Sequence, residues 1–162
     1  MMQNSERYRH VLRADLLIRP LVIDDLPQVL AIERQGYSHP WSESVFADCF
    51  RSNYRLSGVV RGGALAGYAV VAYLADEAHL LNLCVQPGCR GKGAGRQLLR
   101  FLLAEAVREG MARVILEVRE SNDIACGLYR AEGFEEIGRR PEYYPAVSGR
   151  EDARVMALAF QR

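Results

Sequence analysis

The sequence contains 162 residues with a formal net charge of +1, and 49% of its residues are hydrophobic while 25% are charged. A chain of this length and ordinary composition is expected to form one domain with a buried core. The small net charge excludes a protein that holds nucleic acid through a broad basic face, since that mode of binding neutralises many phosphates. The longest apolar run, residues 64–75, is too short for a membrane-spanning helix, which needs about 20 residues.

The chain contains four cysteines, which are Cys49, Cys84, Cys89 and Cys126. Their spacing matches no common metal site, and four are too few for a disulfide-stabilised scaffold. We therefore expect reduced thiols, no bound metal and a cytoplasmic location. Residues 1–14 contain no apolar core of a signal peptide, so we interpret them as a polar N-terminal extension before a single domain over residues 15–162.

The first part of the chain is predicted to contain one strand and two helices. The strand begins at residues 16–18 and is ended, or placed at a sheet edge, by Pro20. A helix over residues 26–35 follows, with a regular apolar face. A second, short helix is predicted next, with Ser42 or Ser44 as its cap.

Three strands come after these helices. Residues 54–61 and 64–74 flank Gly62-Gly63, a pattern that is typical of a hairpin. The mostly apolar residues 78–85 have the length of a buried strand. Three successive strands of this kind favour an antiparallel meander.

After a glycine-rich loop, apolar residues recur at intervals of three and four, which predicts a helix that ends at Gly110. Residues 114–119 are predicted to form the next strand. Strand, helix and strand between residues 78 and 118 make a βαβ unit, so its two strands should be parallel and adjacent.

The last part of the chain is predicted to contain one short helix and two strands. The helix covers residues 123–132, with a buried stripe formed by Ile124, Ala125, Leu128 and Ala131. Two closing strands, residues 134–138 and 153–160, are separated by a loop that contains Pro141, Pro145 and Gly149. This order of elements favours one mixed α/β domain.

The segment Arg90-Gly91-Lys92-Gly93-Ala94-Gly95 is the most informative motif of the sequence. Its glycines leave the backbone bare at the start of a helix, where the first N–H groups lack intrahelical partners and the helix dipole is positive. Such a site can bind a phosphate group, and Arg90, Lys92 and Arg96 add positive charge. The spacing excludes a P-loop and a dinucleotide-binding fingerprint. The alternative is a plain strand-to-helix turn.

Glu117 lies in the middle of an otherwise apolar strand. Alternation puts it on the same face as Ile115 and Arg119, opposite the apolar face formed by Val114, Leu116 and Val118. One interpretation of this carboxylate is an ion pair with Arg119 or with a basic residue across the sheet. The other is a general base for catalysis.

Two residues of the next segment also suit a site. Asn122 could cap the short helix, and that is one interpretation of the residue. Tyr129 lies beside the apolar stripe of the same helix, so its ring can pack while its hydroxyl reaches a cleft. A tyrosine of this kind more often has a structural role than a catalytic one.

Together these features resemble the GNAT superfamily of N-acetyltransferases, and within it the RimI-like branch that acetylates the N-termini of ribosomal proteins. Residues 90–95 match the acetyl-CoA loop of the superfamily, which follows the pattern Q/R-x-x-G-x-G/A. The second half of the superfamily's site resembles residues 116–122, Leu128-Tyr129 and Gly133-Phe134. Three further segments resemble the branch itself: Pro40-Trp41-Ser42, Tyr143-Tyr144-Pro145 and residues 149–153.

The resemblance implies a mixed α/β fold with a mostly antiparallel sheet, one parallel pair of splayed strands and about four flanking helices. It also implies acetyl-CoA as the cosubstrate, held between the splayed strands. The backbone of one strand would contact the pantetheine arm and the acetyl carbonyl through Leu83, Cys84 and Val85. The remaining cofactor contacts would come from Gly91, Lys92, Gly93, Ala94, Gly95, Arg96, Asn122 and Tyr129.

The resemblance further assigns the roles of general base to Glu117 and of general acid to Tyr129, in a direct transfer without a metal. Trp41, Tyr143 and Tyr144 would form the two walls of a slot for the acceptor peptide. The alternative is that these aromatic residues anchor their loops and nothing more.

We therefore expect an N-terminal acetyltransferase that moves acetyl from acetyl-CoA to the N-terminal alanine of a small-subunit ribosomal protein. It is not expected to bind nucleic acid directly or to associate with a membrane. Two alternatives stay open at this point. One is a GNAT enzyme that acetylates a lysine side chain or a small amine, and the other is a non-catalytic acyl-CoA-binding adaptor.

Overall fold

Seven strands form one sheet in the computed structural model of the protein, which describes residues 15–161. The strands are β1 (Leu16–Pro20), β2 (Tyr54–Arg61), β3 (Ala64–Leu74), β4 (Glu77–Val85), β5 (Arg113–Arg119), β6 (Glu135–Pro145) and β7 (Arg150–Ala159). The helices are α1 (Leu26–Gly36), α2 (Glu43–Asp48), α3 (Ala94–Arg108) and α4 (Asp123–Ala131). The extension predicted for residues 1–14 lies outside the described residues.

The order of strands in the sheet is β1-β2-β3-β4-β5-β7-β6. The predicted meander is confirmed, because β2, β3 and β4 pair antiparallel in succession. Gly62 and Gly63 both have positive φ, at 59° and 79°, and this is the geometry of a two-residue hairpin turn whose twist suits the strands.

Each face of the sheet carries its own hydrophobic cluster, as the alternation along β3 shows. The first, which we call the α3 cluster, contains Ala69 and Val71 of β3 and, from α3, Leu98, Leu99, Leu102, Leu103 and Ala106. The second, the α1 cluster, contains Tyr68 and Val70 of β3 and, from the first two helices, Leu26, Val29, Leu30, Ile32 and Phe46. The amphipathic pattern predicted for α3 is thus confirmed.

The parallel pair predicted from the βαβ pattern is confirmed as β4 and β5. Their pairing covers only four positions and ends at Leu80 opposite Leu116. Beyond that point β4 continues to Val85 and β5 continues to Arg119, so the two strands diverge. A cleft therefore opens at the carboxyl ends of the two central strands.

A β-bulge at Leu81 lies where the cleft begins. Consecutive residues of β3 pair with Leu80 and Asn82, so the register skips Leu81. An extra residue reverses the alternation of side chains along a strand. Leu80 accordingly packs in the α3 cluster while Cys84, four residues later, packs in the α1 cluster. This change of face was not predicted from the sequence.

The last hairpin is longer than predicted. The loop expected over residues 139–152 is wrong, since β6 runs to Pro145 and β7 begins at Arg150. Pro141 is tolerated because β6 is an edge strand, where a missing N–H interrupts no further ladder. The register also shifts between Arg140 and Tyr144, so the chain bulges around the proline and then resumes pairing.

The buried face of α4 also differs from the prediction. Cys126 and Tyr129 are its buried residues, whereas Ala131 is exposed and Ile124 is 90% exposed. The reason is the short return to the sheet after the helix, because Phe134 packs its ring 5.6 Å from the ring of Tyr129. Tyr129 accordingly packs inward, beside Phe134.

The longest of the described helices, α3, has 15 residues. Among residues 15–161, no helix is both long enough and apolar enough to cross a membrane.

Candidate active site

A cavity of about 240 Å³ lies where β4 and β5 splay apart. Its walls come from both strands, from α1 and the loop after it, from α4 and from the end of β6. Of the residues predicted from the sequence, it brings together Trp41, Leu83, Glu117, Asn122, Tyr129 and Tyr144. In the described part of the chain, its lining does not include Cys84, Val85, Tyr143 or residues 91–96.

Glu117 faces this cavity from β5, with 26% of its side chain exposed. Its Oε1 lies 2.8 Å from Nε of Arg140 on β6. A hydrogen bond from Tyr143 to the same carboxylate raises the pKa of Tyr143. Of the two ion pairs considered from the sequence, the structure contains the one across the sheet. Arg119 pairs elsewhere.

Arg119 forms its ion pair with Glu151 of β7, at 2.8 Å, and donates a hydrogen bond to the carbonyl of Pro145 at 2.7 Å. Glu151 also accepts the backbone N–H of Ser121 at 3.2 Å. The hydrogen bond from Arg119 is the main reason that the pKa of Glu151 is lowered. These contacts fix the end of β5 next to the cavity, a role that the sequence did not indicate for Glu151.

Aromatic rings form two walls of the cavity. On one side, the rings of Tyr143 and Tyr144 meet edge to face with centroids 4.9 Å apart, and Arg119 lies 4.6 Å above the ring of Tyr144. Burial raises the pKa of Tyr144 to about 12. On the other side, Trp41 packs 5.2 Å from Phe46. Trp41 and Tyr144 therefore line the cavity, and each packs against a second ring that lies outside its lining.

Tyr129 reaches the cavity from α4 and is only 7% exposed. Burial raises its pKa, and the nearby Cys126 and Tyr144 add to the effect. The phenol therefore keeps its proton throughout the neutral range. A protonated hydroxyl at this position is able to donate a proton to a group in the cavity.

The glycine-rich loop leads into α3, as predicted. Gly91 and Gly93 have φ values of 75° and 84°, and Gly93 occupies the N-cap position. These left-handed conformations favour glycine, so the turn geometry accounts for both residues. A Cβ at Gly91 would meet no atom within 4 Å, which means that the loop is open on that side. Gly95 allows close packing, because its Cβ would lie 3.4 Å from Val85.

Basic side chains surround this loop. Arg90 donates a hydrogen bond from Nε to the carbonyl of Val85 at 3.2 Å, and Lys92 contacts the carbonyl of Gly88 at 3.4 Å. Arg96 lies 3.3 Å from Glu132, which also pairs with Arg100. The helix N-terminus thus has a positive environment beside open backbone.

The cofactor contacts predicted on β4 are backbone groups. Side chains of neighbouring residues hold this strand in place. The hydroxyl of Tyr37 donates to the carbonyl of Leu83 at 2.9 Å. Cys84 is buried, and burial raises its pKa to about 11. Burial also raises the pKa of Cys126. Because thiolates are the reactive form, neither thiol is suited to act as a nucleophile near pH 7.

Asn122 caps α4, since its Oδ1 accepts the N–H of Ala125 at 3.1 Å. The capping role considered from the sequence is therefore present. The cap uses only the amide oxygen of Asn122. The residue also lines the cavity. Any further contact with a ligand would fall to its nitrogen.

Glu33 is a cavity residue that was not predicted from the sequence. It is 1% exposed, lies on α1 and contacts Tyr68, Asn82 and the backbone of Trp41. A signal was available, because Glu33 follows Val29 and Leu30 by four and three residues and so lies on the apolar face of the helix. A carboxylate on that face has to be buried.

All four cysteines are free thiols. Within residues 15–161, no group of three or more His, Cys, Asp and Glu side chains is arranged to hold a metal ion.

Several known proteins have sequences similar to that of this chain. The ribosomal protein bS18-alanine N-acetyltransferase of Escherichia coli (strain K12) is 40% identical over 141 residues, which is 87% of this chain and 95% of the relative. The enzyme of the same description from Haemophilus influenzae is 36% identical over 134 residues, covering 82% of this chain and 91% of the relative.

Solved structures of other proteins have the same fold as this chain. The crystal structure of the ribosomal-protein-S18-alanine N-acetyltransferase from Escherichia coli has a TM-score of 0.88 and 39% identity, and the match covers 91% of this chain and 95% of that one. Ard1 from Thermoplasma volcanium has the same fold, with a TM-score of 0.83 at 24% identity over 92% of this chain and 100% of that one. Residues 24–134 match the acetyltransferase (GNAT) family. The chain therefore belongs to the GNAT family of acetyltransferases.

Proposed function

We propose that this enzyme transfers acetyl from acetyl-CoA to the α-amino group of an N-terminal alanine on a small-subunit ribosomal protein. The observation that carries the proposal is the cavity at the splay, where Trp41, Glu117, Tyr129 and Tyr144 meet. The extensive similarity to the bS18-alanine enzymes supports the same choice of acceptor. We place the reaction in the cytoplasm, and free thiols suit that compartment.

The residues around the glycine loop fit coenzyme A. Its pyrophosphate requires N–H donors and positive charge, and the start of α3 offers both. The backbone at Gly91 is open on one side, since a Cβ there would meet no atom within 4 Å. Gly91, Lys92, Gly93, Ala94, Gly95 and Arg96 would hold this group. Leu83, Cys84, Val85, Asn122 and Tyr129 would hold the pantetheine end. When bound, acetyl-CoA supplies the acetyl thioester.

Glu117 would prepare the acceptor. An α-amino group has an ordinary pKa of about 7.7 to 8.0, so it is largely protonated at neutral pH and cannot attack. The carboxylate of Glu117 faces the cavity and can accept that proton. Its partner Arg140 is an exposed side chain that can move aside when an amine enters.

Tyr129 would supply the proton that a departing sulfur needs. Its hydroxyl is buried at the cavity and stays protonated, because burial raises its pKa. General acid and general base contributions are each worth on the order of 100- to 10,000-fold in rate, so both residues matter to turnover. A backbone N–H at Leu83–Val85 would stabilise the developing oxyanion.

The acceptor would enter between Trp41 on one side and Tyr143 and Tyr144 on the other. A cavity of about 240 Å³ suits a small first residue such as alanine. The presence of both Glu117 and Tyr129 at this cavity argues for an enzyme over an acyl-CoA-binding adaptor.

An acetylation assay over a panel of peptides tests the proposal. Peptides with N-terminal alanine should be acetylated at the α-amino group, whereas peptides with a blocked N-terminus and a free lysine should not. Mass spectrometry of the products identifies the modified nitrogen. Preferential acetylation of lysine would favour the lysine alternative, and acetyl-CoA binding without any acetylation would favour the adaptor.

A further inference from the structure

The carboxylate of Glu33 is enclosed by neutral hydrogen-bond donors. The hydroxyl of Tyr68 donates to Oε2, and the side-chain amide of Asn82 donates to the same oxygen at 2.9 Å. The backbone N–H of Trp41 donates to Oε1 at 3.4 Å. Burying a carboxylate without a cation is unfavourable, and removing one of the groups that donate hydrogen bonds to it adds a further cost. Such an arrangement needs a reason beyond the packing of α1.

The contacts of Glu33 join the Trp41 side of the acceptor entrance to strand β4. Asn82 follows the Leu81 bulge, at the point where β4 has left β5. One helical turn after Glu33, the hydroxyl of Tyr37 donates to the carbonyl of Leu83. The end of α1 and the residue that follows it therefore hold the splayed half of β4 from the face of the sheet that α1 covers.

Trp41 is the other element that Glu33 fixes. The loop that leads to it, residues 38–40, is exposed, and its ring contacts Phe46 of α2. The half of β4 beyond the bulge has independent support, because Asn82 and Leu83 pair with Val70 and Ala69 of β3. Loss of the Glu33 contacts would thus displace Trp41 more than it displaces β4.

We propose that Glu33 is a positioning residue that fixes the acceptor wall at Trp41 relative to the donor strand at Asn82. This proposal rests on the function proposed above, since it assigns Trp41 to the acceptor. Glu33 acts through its hydrogen bonds to these two residues and need not touch either substrate. Because a displacement of about 1 Å can cost on the order of 100-fold in rate, this single carboxylate has a large effect on transfer.

The substitution Glu33→Gln tests the proposal with three measurements. Trp41 is the one tryptophan of the chain, so quenching of its fluorescence by acrylamide reports the position of the wall without any substrate. We expect quenching to increase. We also expect the KM for an N-terminal alanine peptide to rise and kcat for transfer to fall by about 10- to 100-fold. Slow hydrolysis of acetyl-CoA without an acceptor should stay within about twofold, because β4 keeps its pairing with β3.

Gln28→Ala is the matched control. Gln28 lies on the same helix and accepts the backbone N–H of Leu65 on β3 at 3.1 Å, whereas the backbone N–H of Trp41 donates to Glu33. The loss of Gln28 should reduce stability and leave quenching and peptide KM unchanged. Equal falls in hydrolysis and transfer in the Glu33 variant would overturn the proposal, as would unchanged quenching.

A double substitution separates positioning from direct contact. In Glu33→Gln combined with Asn82→Asp, the introduced amide can donate to the introduced carboxylate and still accept the N–H of Trp41. Both quenching and peptide KM should return toward the values of the unmodified enzyme. Restored quenching without restored KM would overturn the positioning role and assign Glu33 to contact with the acceptor.

If the variant at position 33 does not fold, Tyr37→Phe is the substitute. It removes the neighbouring hydrogen bond to the carbonyl of Leu83 on β4. We expect a smaller change in transfer and no change in Trp41 quenching. If the unmodified enzyme acetylates no N-terminal alanine peptide, the proposed function fails, whereas the role of Glu33 is then decided by quenching alone.

Discussion

The two sides of the cleft each contribute a glutamate, and the two carboxylates have opposite surroundings. Glu33, on the β4 side, is enclosed by the neutral donors Tyr68 and Asn82. Glu117, on the β5 side, is partly exposed and pairs with Arg140, whose side chain is 59% exposed. A carboxylate with solvent access and a movable partner can exchange a proton, whereas one that is fully enclosed serves to hold its neighbours. A carboxylate thus suits proton transfer on the β5 side and the positioning of neighbouring residues on the β4 side.

Removing the negative charge of Glu117 on the β5 side should cause the greatest loss of activity. Glu117→Gln should lower kcat near pH 7 by about 100- to 10,000-fold while stability and acetyl-CoA affinity stay close to those of the unmodified enzyme. Steady-state kinetics, calorimetry and denaturant unfolding measure the three quantities. Glu120→Gln is the control, since Glu120 lies three residues away and pairs with Arg139 and Arg154. Normal turnover in Glu117→Gln would eliminate it as the base.

The complementary change on the β4 side concerns stability. Glu33→Ala should lower the free energy of unfolding by roughly 2–6 kcal/mol, because it leaves the buried donors of Tyr68 and Asn82 unsatisfied at about 1–3 kcal/mol each. Glu117→Ala, measured in the same denaturant titration, should change it by less than about 1 kcal/mol, as expected for an exposed ion pair. Equal losses in the two variants would contradict the division between the sides.

A third region, the start of α3, lies apart from both carboxylates and should control cofactor binding by itself. Gly93→Val should weaken acetyl-CoA binding about tenfold or more, because a lost hydrogen bond to a charged group is worth about 1.5–3 kcal/mol. Gly110→Val is a matched control, since Gly110 has a similar φ of 78° after the other end of the helix. Both variants carry backbone strain. Calorimetry that shows equal affinity in the two would refute the phosphate site.

The parts of this site that the sequence could predict are those encoded within one segment. The glycine loop and the alternation around Glu117 are local patterns, and both hold in the structure. The partner of Glu117 is not local, because Arg140 reaches it only through the strand order β5-β7-β6. The bulge at Leu81 likewise has no distinctive sequence signal, yet it decides that Asn82 faces Glu33.

The extent of β6 shows the same limitation. Prolines at positions 141 and 145 indicate a loop when the segment is considered alone. In the sheet, the edge position and the register shift accommodate Pro141. The resulting strand carries Tyr144 to the cavity and brings Arg140 and Tyr143 to Glu117. The burial of Glu33 could have been predicted from its position on the apolar face of α1. Its hydrogen-bond partners could not, since they come from two strands distant in sequence.

The movable partner on the β5 side gives a smaller and more specific test. Arg140→Gln removes a cation that competes with the acceptor amine for Glu117, so the peptide KM should fall by about two- to fivefold, in line with 0.2–1 kcal/mol for an exposed ion pair. Arg139→Gln is the matched control, because Arg139 pairs with Glu120 and Glu136. A raised KM in Arg140→Gln would show instead that this arginine helps to bind the acceptor.

The smallest expected effect concerns the frame that supports the β5 side, the pair of Arg119 and Glu151. The pKa of Glu151 is lowered by Arg119, so its contribution to stability is present above the ordinary carboxyl pKa and is lost as the pH falls through the lowered value. Since both side chains are partly exposed, Glu151→Gln should reduce the free energy of unfolding at pH 7 by only a few tenths of a kcal/mol. The difference between variant and unmodified protein should disappear below about pH 4. Denaturant titrations between pH 3 and 7 measure it. Arg119→Gln should keep part of its loss at low pH, because it also removes the hydrogen bond to Pro145 and the contact with Tyr144. A difference that persists at pH 3 in Glu151→Gln would mean that Glu151 supports β5 through its shape and its contact with Ser121 instead of through its charge.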